Sequence, residues 1–204
     1  TGSLPPEVLS TVMTVHQRYI PLKIRSSNKE PLALNSYKVL APGFLCISNG
    51  LTESINNIRK GNEKVITARF SDARYFFDKD KAISCSSRNQ ELSKVIFAEG
   101  LGTLSERVER IVWLSEQVVN LLSLNQIQSK NLISSASYSK NDLVSNMVAE
   151  FPELQGIMAA KYLYQEGFEE EISLAVLEQY MPKSSSSELP STLVGSLLAI
   201  TDKL

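Results

Sequence analysis

Apolar residues recur at helical spacing through most of this chain, from about residue 52 to its end. Ile66, Phe70, Ala73 and Phe77 follow one another at steps of four, three and four residues, which places them on one face of a helix. A second apolar stripe comprises Leu101, Leu104, Val108, Ile111, Val112, Val118, Val119 and Leu122. Since this period is helical, the sequence predicts a mainly α fold.

Polar and glycine-containing breaks divide the helical region into segments. Gly61 suits the end of a short first helix, and residues 84–89 form a polar break. Gly100 and Gly102 are expected to bend or interrupt a long helix, and residues 125–139 are polar and serine-rich. Further helices are predicted at 140–150, 153–165, 169–180 and 190–204.

The first 50 residues have a different pattern. Pro5 and Pro6 are typical of the first turn of a helix. Tyr19–Ile24 and two runs between residues 39 and 48 look extended, with a polar loop expected at 26–36. These extended pieces predict a short antiparallel sheet.

Together the patterns predict two parts of the chain. A small α/β domain with a short antiparallel sheet is expected at residues 1–85, and a helical region at residues 86–204. The apolar helical pattern continues to Leu204 without a cap or a polar tail, so we expect this region to be truncated at its C-terminus.

The chain carries few of the side chains that catalytic centres need. His16 is its one histidine, which excludes His-rich zinc sites, and we interpret it as a packed or capping residue. Cys46 lies in an apolar run and is expected to be buried; with the distant Cys85 it cannot form a disulfide framework. Neither a G-x-S-x-G elbow nor a phosphate-binding G-x-x-x-x-G-K-[ST] loop occurs. The sequence therefore predicts no complete catalytic site and no bound metal.

Segment 57–81 is the most basic part of a chain whose net charge is −1. Its excess of basic over acidic residues predicts contact with a polyanion such as RNA. The candidate contact residues are Arg59, Lys60, Lys64, Arg69 and Arg74. The alternative is an ordinary solvated helix face, on which Arg69 and Asp72 pair with each other at i,i+3 spacing.

The dipeptide Phe151-Pro152 predicts a corner between two helices. The residue before a proline is disfavoured in helical conformation, and Pro152 can open the next helix. We expect Phe151 to be buried at this corner.

Four stretches, taken in order, resemble a known family. Residues 6–22 contain PEVL and HQRYIPL, residues 61–77 read GNEKVITARFSDARYFF, residues 100–111 read GLGTLSERVERI, and residues 142–158 read DLVSNMVAEFPELQGIM. Together they resemble the β subunit of the bacterial-type two-subunit glycyl-tRNA synthetase over essentially the whole chain. The sequence of residues Phe97–Gly102 is similar to that of the cyanobacterial and plastid members of this family.

The resemblance implies a role. This enzyme joins glycine to its tRNA with ATP and Mg²⁺, at an active site in the α subunit or in the α part of fused plastid-type chains. The chain would then be a non-catalytic portion of a glycine–tRNA ligase that supports tRNA binding and assembly. Its implied partners are the α subunit and tRNA-Gly, with no cofactor of its own, no membrane, and a location in the bacterial cytoplasm or the plastid stroma.

The family's middle region is also related to HD-type phosphohydrolases, whose metal sites use several histidines and aspartates. Residues 90–204 contain no histidine, and Gln179 stands where the family often has one. Asn141-Asp142 and Asp202 are interpreted as relics of ligand positions. Since imidazoles are missing, the HD-like fold is expected to be a scaffold. A metal-dependent HD phosphohydrolase and an interaction scaffold without RNA contact are the alternative functions.

Overall fold

The structure is a computed structural model, and it describes residues 4–24 and 40–204. The loop predicted at 26–36 lies outside the described residues.

The N-terminal segment begins with the predicted helix. Helix α1 spans Pro6–Thr11 and continues as a π-helical turn, Val12–His16. Strands β1 (Ile20–Lys23) and β2 (Leu40–Leu45) pair antiparallel, which confirms the predicted short sheet. Tyr19 stacks on Phe44, with ring centroids 4.6 Å apart, and its hydroxyl donates to Asn62 at 2.9 Å. The sheet is thereby tied to the next helix.

A 3₁₀ turn, Thr52–Ser54, leads into the long helix α2, Ile55–Lys81. The prediction that Gly61 ends a helix is wrong, because α2 passes through it without a break. A glycine inside a helix costs about 1 kcal/mol relative to alanine. Buried contacts of Ile66, Ala73 and Phe77 on the predicted apolar face offset that cost.

Two further breaks that the sequence predicts form regular secondary structure. The polar residues 84–89 mostly form α3 (Cys85–Glu91), because the Ser84 side chain accepts from the backbone N–H of Ser87. A 3₁₀ turn, Leu92–Lys94, follows. Gly100 and Gly102 do not bend a helix; with φ of +77° and +81° they form the turn of a hairpin between β3 (Ile96–Ala98) and β4 (Gly102–Thr103).

Helix α4 spans Leu104–Leu122 and begins with a capping box between Thr103 and Glu106. The predicted polar break at residues 125–139 is wrong, because α5 occupies Gln126–Tyr138. A second capping box, between Asn125 and Gln128, starts α5.

The C-terminal part has the predicted order of elements with shorter bounds. Instead of one helix at 140–150 there is a 3₁₀ turn, Asn141–Val144, and then α6, Asn146–Glu150. After a second 3₁₀ turn, Pro152–Leu154, the helices are α7 (Ile157–Gln165), α8 (Glu170–Glu178) and α9 (Leu193–Thr201). Helix α8 packs against α5, α7 and α9, and α4 packs against α5 and α9.

The corner at Phe151-Pro152 is confirmed. Phe151 is 1% exposed, and the His16 ring meets it edge-on at 5.0 Å between centroids, as expected for a packed histidine. Cys46, in contrast, is exposed rather than buried, because strand β2 ends at Leu45 and the chain leaves the sheet there.

The main core includes side chains from both ends of the described chain, from Leu4 to Leu198. The fold is mainly α with a small α/β part, as predicted. Among the helices that the structure describes, none combines the length and apolarity that crossing a membrane would require.

Candidate nucleic-acid interface

The basic residues of α2 do not share one surface. Lys60 and Lys64 are exposed and one helical turn apart, so they lie on the same outward face. Neither side chain has an ion pair or a hydrogen bond within residues 4–24 and 40–204. Arg59 belongs elsewhere: it lines a groove of about 1060 Å³ between α1, β2 and α2, and its Nε lies 3.9 Å from Glu63.

The other two candidates already have contacts in the fold. Arg69 pairs with Glu150 of α6, at 3.8 Å between Nη1 and Oε1, so the predicted pairing with Asp72 is wrong. The reason is that Arg69 is half-buried on the side of α2 that packs on α6. Arg74 is exposed, but it also has an interaction partner within the fold. Of the five predicted contact residues, the structure therefore leaves Lys60 and Lys64 fully available.

One further pair extends this outward face. Tyr75 is 59% exposed, and the Lys79 ammonium lies 5.5 Å from the centroid of its ring. Lys64, Tyr75 and Lys79 follow one another at roughly whole helical turns, so they point to the same side of α2. Tyr75 and Lys79 are not among the predicted contacts, although their i,i+4 spacing in the sequence indicates that they are neighbours on one helix face.

One position interpreted as a metal-ligand relic, Asp202, and the histidine-replacing Gln179 both contact a buried lysine. The Lys140 ammonium, 3% exposed, donates to Oδ2 of Asp202 at 2.7 Å, to Oε1 of Gln179 at 2.8 Å and to the Tyr180 hydroxyl at 2.9 Å. Arg107 of α4 holds the other carboxylate oxygen of Asp202 at 3.0 Å. Burial lowers the pKa of Lys140, and the Asp202 carboxylate opposes this shift. Sequence reasoning missed this lysine because its three partners come from later elements.

Asp142, another position interpreted as a former metal ligand, has a structural role instead. Its Oδ2 accepts from the backbone N–H groups of Gly156 at 2.7 Å and Ala159 at 3.0 Å, so it caps the start of α7. Gly156 has φ of +79°, and a Cβ there would collide with the Tyr180 ring. Burial raises the pKa of Asp142 to about 6, against the lowering effect of these hydrogen bonds. Both amide atoms of the adjacent Asn141 are buried without a hydrogen-bond partner.

Other buried carboxylates also cap helices to which they do not belong. Asp80 of α2 accepts from the backbone N–H groups of Asn146 and Met147, at the start of α6. Glu178 of α8 accepts from the backbone and hydroxyl groups of Ser191 and Thr192, just before α9. These acids therefore serve as structural hydrogen-bond acceptors between helices.

No group of three or more His, Cys, Asp or Glu side chains within the described part of the chain could hold a metal ion. Asp142 and Asp202 point to different partners, and the space near Gln179 is filled by the Lys140 ammonium. The residues present therefore do not fit the metal of an HD-type hydrolase.

The fold and this geometry define a helical scaffold with a basic helix face. The family model described as "Glycyl-tRNA synthetase beta subunit" matches residues 3–204, and the chain belongs to this family.

Three curated relatives, each named glycine–tRNA ligase β subunit, illustrate the relationship. The chain is 40% identical over 201 residues to the protein of Halothermothrix orenii, 39% over 202 residues to that of Bacillus subtilis, and 40% over 200 residues to that of Desulforudis audaxviator. These alignments cover 98 to 99% of this chain but 28% of each relative. The chain thus spans somewhat over a quarter of their length.

Proposed function

We propose that this chain is a non-catalytic portion of a glycyl-tRNA synthetase β subunit that supports tRNA binding and enzyme assembly. In this proposal the α subunit, using ATP and Mg²⁺, joins glycine to tRNA-Gly. The names of the relatives and the match over residues 3–204 support the assignment. Since these relatives are bacterial, the proposed location is the bacterial cytoplasm.

The observation that carries the RNA-binding part is the exposed pair Lys60 and Lys64. Both ammonium groups extend from one face of α2, and no carboxylate within the described ranges neutralises them. The cation at Lys79 continues this face toward the C-terminal end of α2. Such unpaired lysines are suited to phosphate contact, which releases counterions and gives salt-dependent binding.

The test is binding of fluorescently labelled tRNA-Gly to the chain over a series of salt concentrations. The double variant Lys60→Ala/Lys64→Ala should weaken binding at low salt. It should also flatten the plot of log K against log salt concentration by roughly 0.7 to 0.9 for each phosphate group that the variant no longer neutralises.

A matched control removes the same charge elsewhere. Lys94 and Lys130 are 70% and 68% exposed and are each paired with a glutamate, Glu91 and Glu169. Lys94→Ala/Lys130→Ala should leave the salt slope unchanged. Equal slopes for all three proteins would contradict the proposed face on α2, and absence of any RNA binding would favour an interaction scaffold.

Assembly is tested separately, by sedimentation velocity of the chain mixed with a glycyl-tRNA synthetase α subunit. We expect a faster-sedimenting complex. We further propose that assembly does not use Lys60 and Lys64, so Lys60→Ala/Lys64→Ala should form this complex as well. If the mixture sediments as two independent species, this portion does not support assembly.

A further inference from the structure

The ends of three helices converge on one buried point. Lys140 lies two residues beyond the end of α5, Gln179 is the C-cap residue of α8, and Asp202 is the C-cap residue of α9. Helix C-termini carry negative partial charge from their unpaired carbonyl groups. A cation is therefore favoured at this point even before side chains are considered.

A second lysine, Lys203, also lies at the negatively polarised ends of these helices. The Lys203 ammonium donates to the backbone carbonyls of Gln179, Met181 and Ala199, at 3.1 to 3.2 Å. It thus satisfies carbonyl groups at the ends of α8 and α9. Two ammonium groups at one junction of helix ends indicate that this region selects positive charge.

The oxygens around Lys140 are oriented by other groups. The Gln179 amide nitrogen donates to the carbonyls of Ser139 at 2.8 Å and Val176 at 2.7 Å. Its amide oxygen must therefore face the Lys140 ammonium. The Tyr180 oxygen also accepts from Gln155 at 2.7 Å. Their positions do not depend on Lys140, so removing its side chain should leave the oxygens facing an open space.

We propose that the oxygens of Gln179, Tyr180 and Asp202 form a cation-binding site that the chain fills with its own Lys140 ammonium. The three donors of the ammonium match the three oxygens one to one, at 2.7 to 2.9 Å. The chemical class that this site takes is a primary ammonium ion.

A divalent metal ion fits the site poorly. Asp202 supplies its one carboxylate, and the Arg107 guanidinium already lies 3.0 Å from that carboxylate. Mg²⁺ prefers an octahedron of oxygens with carboxylate charge, and transition metals favour imidazole or thiolate ligands. The amide and phenol oxygens supply neither.

The test uses Lys140→Ala in the 204-residue chain and measures the melting temperature with added alkylammonium chlorides. Lys140→Ala should melt below the unmodified chain. Ethylammonium and n-propylammonium should raise its Tm by about 3 °C at roughly ten times the Kd, and further with the logarithm of their concentration. Tetramethylammonium, which has no N–H donor, is added at the same ionic strength and should give no such rise. The site is refuted if all these ions act equally, or if the unmodified chain responds as the variant does.

One further variant, Lys140→Met, keeps the inference testable if Lys140→Ala does not fold, and two controls accompany Lys140→Ala where it does. Lys140→Met has a side chain of similar length without charge, and it should melt well below the unmodified chain; an equal or higher Tm would show that no cation is needed. Lys130→Ala, at an exposed salt bridge, should show no ammonium-specific rise. Mn²⁺ should raise the Tm of Lys140→Ala no more than it raises that of the unmodified chain, and a larger rise for the variant would refute the assignment to ammonium ions.

Discussion

The Asp80 carboxylate of α2 accepts a hydrogen bond from the Tyr162 hydroxyl of α7 at 2.9 Å, inside the core. The same carboxylate accepts from the backbone N–H groups of Asn146 and Met147 and from the Asn146 side chain. The Arg88 guanidinium lies over the Tyr162 ring, 4.2 Å from its centroid. One acidic residue thus connects α2, α6 and α7.

Asp80→Asn is predicted to destabilise the fold by about 3 kcal/mol. The amide offers one oxygen to four donors and places an N–H₂ group against them, and hydrogen bonds to a buried charge are among the stronger ones. The measurement is urea unfolding followed by circular dichroism. Asp78→Asn, an exposed position on the same helix, is the control and should change stability by less than about 0.5 kcal/mol. Equal midpoints for the two variants would contradict this account of Asp80.

Two glycines within helices should respond to alanine in opposite directions. Among the described atoms, none lies within 4 Å of a Cβ built on Gly61, so Gly61→Ala should stabilise by about 0.5 to 1 kcal/mol. A Cβ on Gly195 of α9 would collide with the Glu178 carboxylate that caps this helix, so Gly195→Ala should destabilise by more than about 1 kcal/mol. Thermal melting of both variants checks the signs, and a shared sign would overturn the prediction.

Phe151→Ala should cost about 3 to 5 kcal/mol, the usual loss for a buried phenylalanine. The loss includes its contact with His16 at the corner before α7. Tyr75→Ala removes an aromatic side chain that is 59% exposed and serves as the control. A melting temperature unaffected by Phe151→Ala would show that the corner does not depend on this ring.

Asp142 predicts a specific pH dependence. Because burial raises its folded-state pKa to about 6, above the ordinary 3.8, the folded chain binds this proton more tightly than the unfolded chain does. The resulting stabilisation is complete below about pH 4 and is lost as the pH rises through 6. Relative to Asp142→Asn, the unmodified chain should lose up to about 3 kcal/mol between pH 4 and pH 7.

The measurement for Asp142 is urea unfolding of both proteins at several values of pH. The asparagine oxygen can still accept from Gly156 and Ala159, so the variant should fold. Other carboxyl groups titrate in both proteins and largely cancel in the difference. Parallel stability curves would show that the pKa of Asp142 is not raised.

The chain alone should not activate glycine. Its sequence contains no phosphate-binding loop, and the proposed function assigns the ATP chemistry to the α subunit. ATP–pyrophosphate exchange in the presence of glycine should stay at background with the purified chain. Adding an α subunit to the same mixture is the positive control, and exchange by the chain alone would disprove the non-catalytic assignment.

The sequence predicted best those elements whose signal is local. Proline placement located α1, and the extended runs located β1 and β2. Helix α5 was missed because its buried face consists partly of Asn131, Ser135 and Ala136, which carry little hydrophobic periodicity. Its capping box between Asn125 and Gln128 was the readable signal.

The candidate site was predictable only in part, for a similar reason. Local charge predicts Lys60 and Lys64 as candidate contacts, but it could not show that Arg69 meets Glu150 from a distant helix. The contacts of Lys140 likewise depend on residues 39, 40 and 62 positions later in the chain. Such pairings are set by the packing of helices, which single-sequence periodicity does not contain.

The capping carboxylates also bear on how this chain folds. Helix α6 has five residues, too few to persist in water by itself, and its first N–H groups are satisfied by Asp80, 66 and 67 positions earlier. Helix α6 cannot form before the tertiary structure does, because the Asp80 carboxylate reaches its N-terminus only when α2 packs against it. Cutting the chain at residue 85 would remove that acceptor from the C-terminal piece, so α6 would be expected to fray in isolation. These helices should therefore form and melt as one cooperative unit.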